Sequence, residues 1–484
     1  ARIPLLNIEE ADVGVLLGIP IATLFAAALT GLEALTLPAM AAGLGAGIVT
    51  VYVAPTHVSA SKWLTDTWHY IKQPQELYHV AEDDETTQRN DGGLLNYTPF
   101  GPDTRAQSCT ALNSTYPEYD AVERDDGSME AFLKLTPGNM DFGMAADWAR
   151  IHETAETFAN SELTFDCKLY TTTQSFPVET LTETLDTIEK PDDADPVFEA
   201  LREEYRQKRP QEMQQRGTQE IHFYLGVSVS PLEVYDRSDV EPTPLEKLTH
   251  VPVVGFLFNP FVTRRADFDA DERREKMADL LDRRLQSLHS ELIEHVSGWS
   301  ARRVDAEHLL ELERTFWNGT DPDDTTTTDT KDIVAPEQIT WNTRSATLGD
   351  EWTTTFHITD YPDYPTDGYL SGLFELTDVE FDCTVHLAPK QQDRARKQLE
   401  ETAEDLQVDA DLERSIRGSY LQERVQEATA TYKAVEAGQR VFAQQITLTV
   451  RAPTKSKLNE AATTVRRTLQ DTPAQLTPKP AICT

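Results

Sequence analysis

Hydrophobic positions fall into three patterns along the chain. The first is unbroken. From Val13 to Leu32, and again from Ala34 to Ser61, no side chain is charged, and Glu33 alone interrupts residues 15–55. A helix rises about 1.5 Å per residue and a bilayer core takes about 20 apolar residues, so both runs are long enough to span. A secretory signal would have a shorter apolar stretch behind basic residues, whereas Glu9, Glu10 and Asp12 stand here. A buried helix of a soluble domain would keep a polar stripe, and the first run offers only Thr23 and Thr30, with Pro20 between them. Gly31-Leu32-Glu33 separates the runs, which predicts an antiparallel hairpin. Gly43 and Gly47 lie one turn apart in the second run and predict a close-packing surface, either for the first run or for another helix.

The second pattern alternates. Ala131, Leu133 and Leu135 share one face of a strand, as do Phe165, Cys167 and Leu169. The clearest period of two is Ile221, Phe223, Leu225, Val227 and Val229. The second half repeats the habit in Trp352, Phe356 and Ile358, in Phe381, Cys383, Val385 and Leu387, and in Ile446, Leu448 and Val450. The third pattern is helical. Trp148, Ile151, Ala155 and Phe158 form one stripe, Met277 to Leu292 a longer one, and Leu458, Ala461, Ala462, Val465 and Leu469 a third. One-sided strands with helices between them predict an α+β fold: a two-helix transmembrane hairpin, then two mixed β-α-β lobes, each sheet covered on one face.

The predicted organisation is therefore a hairpin module over residues 1–80, a polar linker over 81–93, a first lobe over 94–317, a threonine-rich flexible connection over 318–338 and a second lobe over 339–484. Two segments, "LTFDCKLYTTT" from Leu163 and "VEFDCTVHLAP" from Val379, resemble one another and suggest a duplication. In both, Phe and Cys would face the core and Asp166 and Asp382 would face out.

Charge changes the picture of the body. With 44 basic and 82 acidic side chains the formal charge is -38, spread from Glu76 to Asp471. Such uniform acidity suits a salt-loaded, halophilic cytoplasm, where screening removes the self-repulsion. It disfavours direct contact with nucleic acid, which needs Lys and Arg stripes. Around the hairpin, Arg2, Lys62 and Lys72 flank the two runs, and Trp63, Trp68 and Tyr70 suit the membrane interface. Both ends of the hairpin, and the body, are expected on the cytoplasmic side of the cell membrane.

Candidate chemistry is sparse. No G-x-x-x-x-G-K-[ST] loop occurs, so no nucleotide cofactor is expected. Asp267, Asp269 and Asp271 begin like a calcium loop, but Glu272 and Ala278 stand where glycine and glutamate are required. His222, His357 and His386 lie on outward strand faces without a local second ligand, and no metal site is predicted. Cys109, Cys167, Cys383 and Cys483 stand apart, which predicts free thiols in a reducing compartment. Asn96, Asn113 and Asn318 begin N-x-[ST] sequons that would matter only if the body faced outside.

Two resemblances emerge from the ordered motifs. Ile3-Pro4, Asp12, the hairpin, Trp63, Tyr70 and Pro74 resemble the PrgI-type small membrane proteins of conjugative type IV secretion systems. "SARRVDAEHLLELERTFWN" from Ser300, Val334 to Ile339, "HITDYPDYPTDGYLSGLFEL" from His357 and "VHLAPKQQDRARKQLEE" from Val385 resemble the N-terminal domain of TraC-type conjugation ATPases. In that family a RecA-like motor with a P-loop follows. The chain ends at Thr484, so the motor is expected either in a separate polypeptide or beyond this end.

The resemblance implies a membrane-anchored scaffold that joins an inner-membrane hairpin to the N-terminal collar of the motor. Its partners would be the motor domain or its own oligomer, other inner-membrane secretion subunits and the lipid bilayer. It implies no catalysis by this chain. The alternative is a membrane-anchored surface or viral envelope protein.

Overall fold

The computed structural model describes residues 2–3, 8–29, 36–53, 60–61, 63–64, 67, 76–79, 105–138, 145–175, 196–216, 219–234, 270–296, 298–319, 330–361, 370–412, 416–470 and 475–478. The linker expected over 81–93 lies outside them.

Two short strands, β1 (Arg2–Ile3) and β2 (Ile8–Glu9), pair ahead of a helical hairpin. Its helices are α1 (Glu10–Leu29) and α2 (Thr36–Val53), packed along each other. At about 1.5 Å per residue, their 20 and 18 residues measure about 30 and 27 Å. The hairpin is present, but α1 begins three residues ahead of the first uncharged run, at Glu10, and α2 is shorter than the second run. Among the described residues, no helix is long and apolar enough to cross a membrane. Glu10 and Asp12 occupy the first turn of α1, and α2 stops at Val53.

The body is built on one 13-stranded sheet. Its strands are β3 (Glu76–Tyr78), β4 (Leu112–Tyr116), β5 (Ala121–Arg124), β6 (Met129–Thr136), β7 (Cys167–Ser175), β8 (Gln219–Val229), β9 (Ser300–Arg303), β10 (Gln338–Trp341), β11 (Ala346–Leu348), β12 (Glu351–Asp360), β13 (Glu380–Pro389), β14 (Phe442–Ala452) and β15 (Gln475–Pro478). Their order is β3-β10-β11-β12-β14-β13-β7-β8-β6-β5-β4, with β15 added on β12 and β9 on β6. Every pairing in this sheet is antiparallel.

The order contains a repeat. β4 to β8 and β9 are matched, strand for strand, by β10 to β14 and β15. In each half a three-strand meander comes first. The next strand stands apart, and the strand after it slips in between. A helix then packs on the sheet, and a short strand extends the third strand of the meander. The halves meet where β7 pairs with β13, the two Phe-Asp-Cys segments. Leu169 faces Val385, and a half-turn about that pair exchanges Cys167↔Leu387 with Cys383↔Thr171. The chain is thus one continuous antiparallel sheet with pseudo-two-fold symmetry, rather than two separate sheets.

Alternation decides the two faces. On one face lie Ala131, Leu133, Cys167, Leu225 and Val227 of the first half, then Phe356, Phe381, Cys383, Ile446 and Leu448 of the second. Over them pack α3 (Ala145–Ser161) through Phe158, the helix α5 (Ala270–Ser287) with its π-helical extension Leu288–Ile293, and α10 (Lys455–Gln470). The connection from β7 to β8 holds α4 (Pro196–Arg216). That from β13 to β14 holds the paired helices α8 (Gln392–Leu412) and α9 (Ile416–Glu436).

The expectation of coverage on one face fails. The opposite face of the first half is also buried, beneath α6 (Ala306–Asn318) and α7 (Thr330–Val334). Leu112, Val122, Tyr224, Leu309 and Val334 form a second core there. The sheet curls round α6 until its ends approach, and Tyr78 of β3 bridges Arg105, just ahead of β4. Part of the stretch read as a flexible connection is therefore a helix with Val334 fully buried.

On this face Gly226 of β8 sits under the ring of Phe132, its cross-strand partner. A Cβ there would lie 2.9 Å from Cζ of that ring and closer still to its edge. Gly226→Val should cost about 1–3 kcal/mol by overpacking, read as a lower urea midpoint with an unchanged slope.

Candidate functional site

Three places could serve a function: the hairpin, its attachment to the sheet, and the concave face around α6. In the hairpin, Gly43 lies against Pro20 and Thr23 of α1. A Cβ at Gly43 would collide with Thr23 Oγ1 and come within 2.9 Å of Pro20 Cα. Gly47 lies against Leu16, whose carbonyl oxygen would be 3.4 Å from a Cβ at that position. Pro20 has no N–H to give to that carbonyl four residues before it, so the bare glycine backbone covers an acceptor the helix leaves open. Thr23 Oγ1 donates to Pro20 O at 2.9 Å, and Thr50 Oγ1 to Ala46 O at 2.8 Å, so neither hydroxyl is left bare in an apolar setting. The two glycines thus face the first helix of the same hairpin. Trp63 is half-buried and its carbonyl accepts from Thr67 Oγ1 at 2.7 Å. Trp68 and Tyr70 lie outside the described residues.

The attachment went unread in the sequence. Glu76–Tyr78 adds to the outer edge of β10, pairing Leu77 with Ile339. Leu77 is buried with Ala106, Ala335, Ile339 and Leu348. His79 N donates to Glu337 O at 2.8 Å, and His79 Nε2 stands 3.6 Å from Asp332 Oδ1. Gln107 Nε2 donates to the same Asp332 oxygen at 2.8 Å. The hairpin is therefore followed by a strand that is a structural part of the body.

The concave face holds a cavity of about 310 Å³ between the central strands and α6. Arg124, Glu130, Lys168 and Glu313 line it beside Phe132, Leu312, Phe316 and Trp317. Arg124 Nη2 reaches Glu130 Oε2 at 2.9 Å and Glu313 Oε1 at 2.5 Å, and Lys168 Nζ pairs with Glu130 Oε1. Burial pushes the Glu130 carboxyl up, but Arg124 and Lys168 outweigh it and hold the group below its ordinary range. Next to this cluster, Arg451 Nη2 meets Asp382 Oδ2 at 2.8 Å and Tyr170 donates its hydroxyl proton to Asp382 Oδ1 at 2.8 Å. Arg451 Nη1 also donates to Thr315 O of α6 at 3.1 Å. Glu313 thus ties α6 to the first half of the sheet, and Arg451 ties it to the second.

Several expectations change here. Asp382 does point away from the main core, but it is 3% exposed, so it does not face solvent. Cys167 and Cys383 are free and buried, and burial pushes both thiols up to about 12, which leaves them protonated core residues. Cys109 is disulfide-bonded, against the expectation of isolated thiols. His357 Nδ1 lies 3.1 Å from Thr447 Oγ1, and His386 Nε2 lies 3.8 Å from Asp166 Oδ2. Of the acidic run at 267–271, only Asp271 is described. It pairs with Arg274 at 2.6 Å. Arg124, Glu130, Lys168 and Arg451 were missed because polar residues at alternate strand positions read as a wet face.

Comparison with protein families agrees with this layout. The PrgI-like domain matches residues 2–77, from the first strand to the middle of the edge strand β3. The archaeal TraC-like domain matches residues 113–319, from β4 to the end of α6. The CagE, TrbE, VirB family, component of type IV transporter system, matches residues 323–477, which hold the second half of the sheet. The chain is a PrgI-like and TraC-like fusion. No curated protein matches it. These domains make the fusion a component of a type IV secretion or conjugation system.

Two outcomes test the geometry. Asp382→Ala strands Arg451 in the interior and should cost about 3–5 kcal/mol, seen as a large fall in thermal midpoint. Glu130 has a folded value below its unfolded one near 4.5, so the stability it lends is present above that pH and fades as the pH falls through the folded value. Glu130→Gln should therefore flatten the loss of stability between pH 5 and more acidic solution, measured by urea unfolding at a series of pH values.

Proposed function

We propose that the fusion is a membrane-anchored scaffold, whose hairpin enters the lipid bilayer and whose body docks with the motor of the secretion machine. The observation that carries this reading is the outer surface of the hairpin. Ile21, Phe25, Leu44, Ile48 and Val49 are exposed on it, Phe25 by 66% and Val49 by 61%. No side chain from Val13 to Leu29 or from Thr36 to Val53 is charged. Bare apolar helices of this length in water would be costly, and lipid is the medium that removes the cost. The uncharged sequence continues to Ser61, which adds to the length available for insertion.

The body supports a scaffold rather than an enzyme. In the described concave face, cations and carboxylates neutralise one another, and the two buried thiols are protonated. The motor and other inner-membrane subunits are the partners this reading assigns, with the body on the cytoplasmic side. Fusing the anchor to the body supplies a high effective concentration without a new interface.

One observation favours the alternative of a surface protein: Cys109 is disulfide-bonded, as is common outside the reducing cytoplasm. The sequons divide. Asn113 is exposed, but Asn318 spends its amide on Arg314 O and Val334 O, at 3.2 and 2.8 Å. A glycan on Asn113 of the native protein would select that alternative. Its absence, with Asn113 shielded from reagents in intact cells, agrees with the scaffold.

The scaffold reading is tested by flotation. Full-length protein should rise with liposomes through a density gradient, and Phe25→Glu with Val49→Glu should leave it at the bottom. The purified chain should turn over no ATP above background. Protein that stays dissolved without detergent and ignores liposomes would end the reading.

A further inference from the structure

In a chain of charge -38, the described residues that line one cavity include three cations and no carboxylate. It lies between the turn Asn342–Ser345, which joins β10 to β11, and one face of α10, and its volume is about 560 Å³. Arg344 comes from the turn, and Lys455 and Arg466 come from the helix. None of the three forms an ion pair among the described residues, whereas the buried Arg124 and Arg451 are both paired. The cavity belongs neither to the hairpin nor to the concave face.

Two of the cations are held in place. The Lys455 ammonium lies 5.0 Å from the centre of the Trp352 ring, and the Arg466 guanidinium lies 5.0 Å from that of Phe356. Trp352 and Phe356 flank Thr354 on one face of β12, and Thr354 lines the cavity floor. Thr354 Oγ1 donates to Arg344 O at 2.8 Å, which fastens the turn to that floor. Asn342 N donates to Ser345 O at 2.8 Å, which closes the turn. The arms are thus spaced along a strand rather than gathered at a point, and Ser345, Asn459 and Thr463 add neutral donors between them.

We propose that this cavity binds a small anion carrying more than one phosphate group. Separate positive arms over a polar floor match separate negative groups better than a single one. A volume of this order suits a small ligand. Free pyrophosphate and the phosphate chain of a nucleotide share that chemistry. The inference does not depend on the scaffold reading, since it concerns only the body.

Titration calorimetry of the full chain in detergent at fixed ionic strength tests it, with pyrophosphate and ATP as probes. Pyrophosphate should bind saturably. Equal affinity for ATP would mean that only phosphate is read, and tighter binding of ATP would mean that the nucleoside is read as well. Arg344→Gln, Lys455→Gln and Arg466→Gln should each weaken binding about tenfold, as the loss of a charge-assisted contact implies. Lys457→Gln, on the same helix but outside the cavity, should leave binding unchanged. Arg344 is exposed on a turn, so its variant stays informative even if a helix variant misfolds. Pyrophosphate binding that survives all three substitutions, no binding at millimolar concentration, or binding of a single-stranded oligonucleotide alone would overturn the proposal.

Discussion

Backbone pairing between β7 and β13 is the interaction on which the body depends. Each half of the repeat ends at that strand, and an unpaired edge there would expose a row of amide and carbonyl groups. Paired about Leu169 and Val385, the two edges satisfy each other and place both apolar faces on one side. Two apolar cores then lie side by side on that face, one under the helix after β8 and one under the helix after β14, with the rings of Phe223 and Phe374 in contact between them. The same pairing places Tyr170 of one half beside Asp382 of the other.

The second face shows how the halves are kept in register. A one-residue slip would turn each apolar side chain to the opposite face, and a buried carboxylate adds a second penalty to that one. Asp382 accepts a hydrogen bond from the Tyr170 hydroxyl and pairs with the Arg451 guanidinium, and Arg451 also donates to a carbonyl of α6. Moving either half by one residue would leave these groups unpaired in a dry interior, at a cost of several kcal/mol. Helix α6 acts as a bar across both halves. Its own start is secured by Asp305, whose side chain accepts from His308 N at 2.8 Å.

Much of this was legible along the chain, for physical reasons. Period-two runs such as Ile221 to Val229 found the strands, because one face of each is buried in the main core. The paired "FDC" segments found the symmetry, because the same edge is used twice. Topology was not legible, since alternation says nothing about which strands are neighbours: β6 and β7 run parallel on either side of a helix, as β-α-β requires, but β8 is inserted between them and every hydrogen-bonded pair is antiparallel. The buried ion cluster was hidden for a related reason: Glu130, Lys168 and Asp382 occupy positions that water would also favour. The strand Glu76–Tyr78 was too short to carry a pattern, and its pairing depends on β10, more than two hundred residues away.

The edge strand β3 has a consequence for counting. Because the PrgI-like part contributes a strand to the sheet, every body carries its own hairpin, and the ratio of the two is fixed at unity by covalent structure. In machines assembled from separate pieces that ratio is set by expression and affinity. Here, any closed ring of bodies would carry one helix pair for each subunit, and a subunit could neither join nor leave the ring without its own pair.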